Sequence, residues 1–238
     1  MPRSALLLTT IAAAALCTGL LSTPILAESR SFELEPFTAA SFESDVNATI
    51  TVGTAQTISV DARSAADLED LRIEVVNGKL HAWVESDFWD FVAFRDRHIS
   101  ITVTVPALDH LDASAGSAVE ATGMSGEIVI DASSGATIKL AAIDAQSARI
   151  NASSGSQLRL DGQCLTANVQ ISSGASLAGK GFECGDIEVD ASSGSNATLF
   201  ATGHVQANAS SGATVELAGH PAHVDDDVSS GGDVDTLY

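Results

Sequence analysis

The chain has 238 residues, with 31 acidic against 11 basic side chains and a formal net charge of −20. A surface this acidic repels nucleic-acid phosphates and anionic lipid headgroups, so neither is expected as a partner. The length allows one elongated or two small compact domains, and a repeat in the second half favours the elongated arrangement.

Met1-Pro2-Arg3-Ser4 is a short basic head, and an apolar run follows from Ala5 to Leu21. Small residues within Ser22 to Ala27 suit cleavage after Ala27, so residues 1–27 read as a secretory signal and the mature chain starts near Glu28. The run is short for a retained transmembrane helix. Leu16 stands before Cys17 where lipoprotein processing wants a small side chain. An extracytoplasmic destination (periplasmic, outer-surface or secreted) is therefore expected, with no stable membrane insertion after signal removal.

Residues 28–106 read as a region of short strands. Ala48 to Gly53 and Thr57 to Asp61 alternate apolar and polar side chains, the mark of half-buried strands. Ser64 to Leu71 contains the one short helix expected in the mature chain. Arg72 to Val75 leads through Asn77-Gly78, a strong hairpin signal, into Lys79 to Val84. Leu80, Ala82 and Val84 then share one face, with His81 and Trp83 on the other. An aromatic-rich stretch follows, and with Trp83 it supplies Phe88, Trp89, Phe91 and Phe94. These five are expected either to wedge the end of the fold or to form a partner-binding patch. His98 to Val105 is a further strand, closed by Pro106.

Residues 107–238 are governed by one motif, seen most clearly as Asp131-Ala132-Ser133-Ser134-Gly135. Its glycine recurs at 116, 135, 155, 174, 194, 212 and 231, in steps of 19, 20, 19, 20, 18 and 19 residues. A period near ~20 residues is one coil of a solenoid, which buries its apolar face only by stacking on its neighbours. Odd slots counted from the glycine are apolar, as in the column Leu111, Ile130, Ile150, Val169, Val189 and Ala207. Even slots are polar, as in Asp112, Asp131, Asn151, Gln170, Asp190 and Asn208. The alternation sends the odd slots inward and the even slots to water. Glycine answers either a positive φ or close approach of the next coil at a tight corner. The serine two residues before it, present in all seven copies, is expected to hydrogen bond along the ladder or back to the main chain of the turn, the alternative being a flat hydroxyl array that binds a repetitive surface such as glycan or ice. The fold class is thus all-β: a single-stranded β-solenoid of coils of about 19–20 residues, preceded by strands that join or cap it.

Cys164 and Cys184 lie 20 residues apart, one coil. Stacked coils sit about 4.8 Å apart, close to the Cα separation of a disulfide, so the two are a candidate bridge. Two free buried thiols are the alternative. Zinc is not expected there, because no neighbouring histidine completes a ligand set. His204, His220 and His223 with Asp225 have metal-binding chemistry, but histidines three apart in a loop are common, and no metal is expected at them either.

Nucleophilic catalysis needs one serine set apart by a base and an oxyanion hole, and no copy is set apart. No catalytic residue and no cofactor are assigned. Column carboxylates such as Asp131 and Asp190 resemble those of pectin-degrading β-helix enzymes, but the coils lack the spare residues from which such clefts are built.

The signal segment, the early strands, the run Ile101 to Pro106 followed by Leu108 and Leu111, and the Ser-x-Gly coils together resemble the bacterial putative autotransporter adhesins with a head GIN domain. The resemblance covers essentially all of the mature chain and implies a right-handed β-solenoid on the periplasmic or outer side of a bacterial envelope. It carries no catalytic motif. No C-terminal set of alternating barrel strands is visible, so the chain is not read as an autotransporter itself. The expected function is non-enzymatic: a β-solenoid acting in adhesion, binding or envelope structure toward a protein or glycan ligand that the residues do not name. The alternative is a carbohydrate-active β-helix enzyme, lyase-like or hydrolase-like.

Overall fold

The computed structural model describes residues 28–85 and 99–237. The expected signal, residues 1–27, lies outside them. From His110 onward the chain winds as a β-solenoid. The first coils comprise β8 (His110–Ala113), β9 (Ala118–Thr122), β10 (Ser125–Ala132), β11 (Thr137–Ala152), β12 (Gln157–Ile171) and β13 (Ser176–Ala191). The last comprise β14 (Asn196–Ala201), β15 (His204–Ala209), β16 (Thr214–Ala218), β17 (His223–Val228) and β18 (Asp233–Thr236).

Neighbouring strands in this stack are parallel, and the repeat sets their register. Leu111, Ile130, Ile150, Val169, Val189 and Ala207 lie one above the next, and all six are buried. Each buried branched aliphatic in such a column contributes roughly 1.5–3 kcal/mol of transfer free energy. Because the coils from Leu111 to Ala207 repeat the column, the core there is a continuous apolar rod.

The Ser-Ser-Gly corner is a turn with two successive left-handed residues. Ser134 and Gly135 have φ of 50° and 74°, and Ser154 and Gly155 have 52° and 71°. The turn closes locally, as when the Ala136 N–H donates to the Ser133 carbonyl at 3.0 Å. It also bonds along the stack: Gly135 N–H donates to Ser154 carbonyl at 3.0 Å, and Gly155 N–H to Ser173 carbonyl at 3.0 Å. A Cβ added to Gly135 or Gly155 would meet nothing within 4 Å. Positive φ, not crowding by the next coil, is therefore what calls for glycine here. A second bend in the middle coils appears as a register slip, for example between Leu140 and Ile143. There Gly162 has φ of 136°, and an added Cβ would fall 2.3 Å from the Ile143 carbonyl oxygen.

The N-terminal elements are β1 (Glu28–Phe32), β2 (Ala39–Phe42), β3 (Asn47–Val52), β4 (Thr57–Ala62), α1 (Ala65–Asp70), β5 (Leu71–Val76), β6 (Lys79–Val84) and β7 (Ile99–Val105). Some of these join the solenoid and others cap it. β2 and β3 run parallel to β8 and β9, with Ala40 on Leu111 and Ala48 on Val119. Their corner, Ser44-Asp45, has φ of 61° and 58°, the same left-handed pair without the Ser-Ser-Gly signature. β6 and β7 stack on the far side of β2 and β3. The stacking order is therefore β6–β7, then β2–β3, then β8–β9, which is not the chain order.

β5 lies antiparallel on β6, β4 antiparallel on β7, and β1 antiparallel on β4, so this end is covered. Asn77 and Gly78 make the hairpin between β5 and β6 with φ of 52° and 76°. α1 bridges β4 and β5, with Ser64 Oγ accepting from the Asp67 N–H at 3.3 Å as its N-cap. At the other end, among the described residues, β17 and β18 have strand neighbours on one side only. Asp226 takes the inward slot held by Ala207 one coil earlier and is exposed. Charge on such an edge discourages further strand pairing.

Candidate functional site

Two even-numbered columns, four and two residues before each corner glycine, border a shallow groove of about 880 Å³ along the coils. Its lining includes Asp112, Asp131, Asn151, Gln170 and Asp190 on one side and Ser114, Ser133, Ser153, Ser172 and Ser192 on the other. The amides and carboxylates are tied to each other along the axis: Asn151 Nδ2 donates to Asp131 Oδ1 at 2.7 Å, and Asn208 Nδ2 to Asp190 Oδ1 at 2.6 Å. At the capped end His110 Nε2 lies 2.9 Å from Asp131 Oδ2 and 3.5 Å from Asp112 Oδ1, and Lys79 pairs with Asp112.

The serines behave differently from the sequence-based expectation. Their main-chain groups make the corner, as in Ser133 N–H to Ala113 carbonyl at 3.0 Å. Their hydroxyls, among the described residues, make no hydrogen bond within the chain and face the groove or solvent. The structural hydroxyls stand one residue after the glycine instead. Ser117, Ser156 and Ser195 are fully buried, and their Oγ atoms donate to the carbonyls of Phe42 at 3.0 Å, Ala132 at 3.2 Å and Ile171 at 3.1 Å. Alanines 136, 175 and 213 fill the same slot in the intervening coils. That alternation was open to reading in the sequence, and it marks where small inward side chains pack beneath the corner.

Among the described residues no corner serine is hydrogen bonded to a histidine or a carboxylate. Cys164 and Cys184 stand in register on β12 and β13, with Cα atoms 4.5 Å and Sγ atoms 2.01 Å apart. Trp83 is half-buried on the outer side of β6, opposite Arg72. Phe88, Trp89, Phe91 and Phe94 lie outside the described residues. An apolar cleft of about 560 Å³ opens elsewhere, lined by Phe32, Leu34, Pro36, Phe37 and Pro106. The only sequence signal for it was the cluster of large apolar residues and proline from Phe32 to Phe37.

Three side chains that chain order separates meet near the open end. His204 and His223 occupy the same slot in adjacent coils, with ring centroids 5.3 Å apart and planes inclined by 26°. His204 Nε2 is 3.0 Å from Asp225 Oδ2, and His223 Nε2 is 3.1 Å from Asp225 Oδ1. The His204 imidazole, together with that of His223, holds the Asp225 carboxyl below its ordinary range.

A stacked parallel core with long polar columns outside it defines a β-solenoid whose repeated faces are its most extensive surface. The chain belongs to the family described as putative auto-transporter adhesin, head GIN domain, whose model matches residues 36–221. The expected resemblance is thereby shown. No curated protein matches the chain. Among solved structures, a putative adhesin from Bacteroides fragilis superposes with a TM-score of 0.77 at 12% identity, over 89% of this chain and 97% of that one. A putative lipid binding protein from Parabacteroides distasonis gives 0.65 at 14% identity, over 89% and 97%. A putative adhesin from Parabacteroides merdae gives 0.65 at 13% identity, over 89% and 96%. At such identities these likenesses speak for the fold. Among the described residues, no helix is long and apolar enough to cross a membrane.

Proposed function

We propose that this chain is a non-enzymatic, extracytoplasmic adhesin-like module that binds a repeating ligand along its groove, a glycan chain being the ligand class preferred. The observation that carries this is the pair of columns themselves. Serine hydroxyls without hydrogen-bond partners among the described residues run beside amides and carboxylates, repeating at the coil spacing of about 4.8 Å. Such a row offers donors and acceptors to many sugar hydroxyls at once, each contact weak and the sum multivalent. A net charge of −20 disfavours acidic polymers and favours neutral or amino-bearing ones.

The destination outside the cytoplasm rests on the reading of residues 1–27 as a signal. It also agrees with Cys164 and Cys184, which we propose to be a disulfide stapling two coils, a bond that persists in oxidising compartments.

A glycan array spanning neutral, amino-bearing and acidic polymers tests the reading. Expected is retention of neutral or amino-bearing chains, weakened at least several-fold in Ser153→Val, whose bulk intrudes on the groove, with thermal stability unchanged. Binding indifferent to Ser153→Val would overturn the assignment of the groove. Turnover of a polysaccharide that is lost in Asp131→Asn or Asp190→Asn would overturn the non-enzymatic reading.

A further inference from the structure

The geometry points to a site for a borderline divalent cation of the zinc class at His204, His223 and Asp225, where the metal would clip the last coil to the one before it. The argument begins with the strand register. β15 and β17 are adjacent parallel strands with His204 directly opposite His223, so two imidazoles are presented side by side from a rigid ladder. Asp225, two residues after His223, emerges on the same outer side. Both Nε2 atoms are directed at its carboxylate, one at each oxygen, at 3.0 and 3.1 Å.

All three ligand atoms lie within 4.8 Å of one another. A tetrahedral zinc ion with bonds of about 2.0–2.2 Å separates its ligands by roughly 3.3–3.5 Å. Small rotations of exposed side chains are enough to close that difference. The donor set favours a borderline ion over calcium or magnesium, which take oxygen ligands almost alone. The side chains of His204, His223 and Asp225 are 49%, 65% and 61% exposed, so three protein ligands leave a fourth position to water.

The surroundings support the same reading. Asp186 sits in the equivalent slot one coil earlier, and its Oδ1 accepts from the His204 backbone N–H at 2.7 Å. That contact fixes the start of β15 and adds negative charge without occupying the imidazoles. The other histidine cluster, His110 with Asp112 and Asp131, offers a contrast. There Lys79 already pairs with Asp112 and Asn151 already donates to Asp131, so a cation would have to displace both. Among the described residues, Asp225 has no side-chain partners besides the two imidazoles.

The position in the fold gives the site its consequence. Among the described residues β17 pairs on one side only, and its inward side chains Val224, Asp226 and Val228 are at best partly buried. A coil with no second neighbour among the described residues lacks the contact that stabilises the inner coils, so it frays more readily than they do. A metal bonded to both β15 and β17 would restore part of that missing contact.

The test uses the full chain, stripped of metal and titrated with Zn(II) alone by calorimetry, followed by hydrogen exchange. Expected is one saturable zinc ion per chain, with no comparable response to Ca(II) or Mg(II). Affinity should fall at least about tenfold in His223→Ala and in Asp225→Asn, as for loss of metal-supporting groups generally, and be retained in His110→Ala. Zinc should also slow amide exchange across residues 223–228 in the parent chain and leave it unchanged in His223→Ala. Absence of saturable binding would overturn the site, as would binding insensitive to His223→Ala or abolished by His110→Ala. Zinc binding that left exchange over 223–228 unaltered would overturn the clip. All three substituted side chains are exposed or half-buried on the outer surface, so the variants test ligation and not folding.

Discussion

Gly135 and Gly162 both have positive φ, but for different physical reasons, and the difference is measurable. Gly135 has φ of 74° with open space where a Cβ would stand. An alanine there bears only the left-handed penalty, about 1–2 kcal/mol. At Gly162 the same methyl would lie 2.3 Å from the Ile143 carbonyl oxygen and 2.5 Å from its nitrogen. The backbone of β11 would have to move and the ladder to β12 would open. Urea unfolding should therefore show Gly135→Ala destabilised by about 1–2 kcal/mol and Gly162→Ala by clearly more. Equal losses would mean that the second bend tolerates displacement. The buried serines illustrate a related economy. Ser156 donates to the Ala132 carbonyl, which also accepts from the Ser153 N–H, so the hydroxyl reinforces a bonded carbonyl and does not rescue an orphan. Alanine in the same slot of neighbouring coils is compatible with that.

At the level of elements, the proposed Cys164–Cys184 bridge joins β12 to β13 in the middle of the stack. Closing a loop of about this size stabilises by roughly 3 kcal/mol in the chain-entropy model. Reduction, or the Cys164→Ala and Cys184→Ala pair, should lower the urea midpoint by a corresponding amount while the β-rich circular dichroism persists. A midpoint unmoved by reductant would remove the staple. The strands around it were legible because the repeat writes the same alternation in each coil, and identical slots must stack if the apolar face is to be buried. The early coils were less legible. Glu43-Ser44-Asp45 makes the same corner as Ser133-Ser134-Gly135, but no glycine marks it, and the alternation in β2 and β3 does not reveal that they stack against strands far along the chain. The candidate metal site was partly legible: the sequence groups His204, His220, His223 and Asp225, and strand register is what sets His204 directly opposite His223. For the hydroxyl columns the sequence leaves both a structural and a binding role open, because it shows a serine's capacity to hydrogen bond but not whether the main chain at that turn has already met its own needs.

For the molecule as a whole, the stacking order has a bearing on time. β2 and β3 are made early, yet their two neighbours in the stack, β6–β7 and β8–β9, emerge later. An early coil with neither neighbour present has no apolar surface to dock on, and long-range strand pairing is intrinsically slow. The coils from β10 to β15, in contrast, each pair with the coil just made or about to be made. Pulse-labelling hydrogen exchange during refolding should find amides of β11, β12 and β13 protected before those of β2 and β3. Simultaneous protection of both sets would argue instead for a single concerted collapse. Slotted between two later arrivals, the β2–β3 coil resembles the tongue of a buckle: it is threaded first and fastened last. A chain emerging N-terminus first from a translocation channel would hold that piece without either neighbour until β7 had cleared and with one side unpaired until residue 122 had cleared, and for that interval it would depend on the surroundings to keep it from pairing elsewhere.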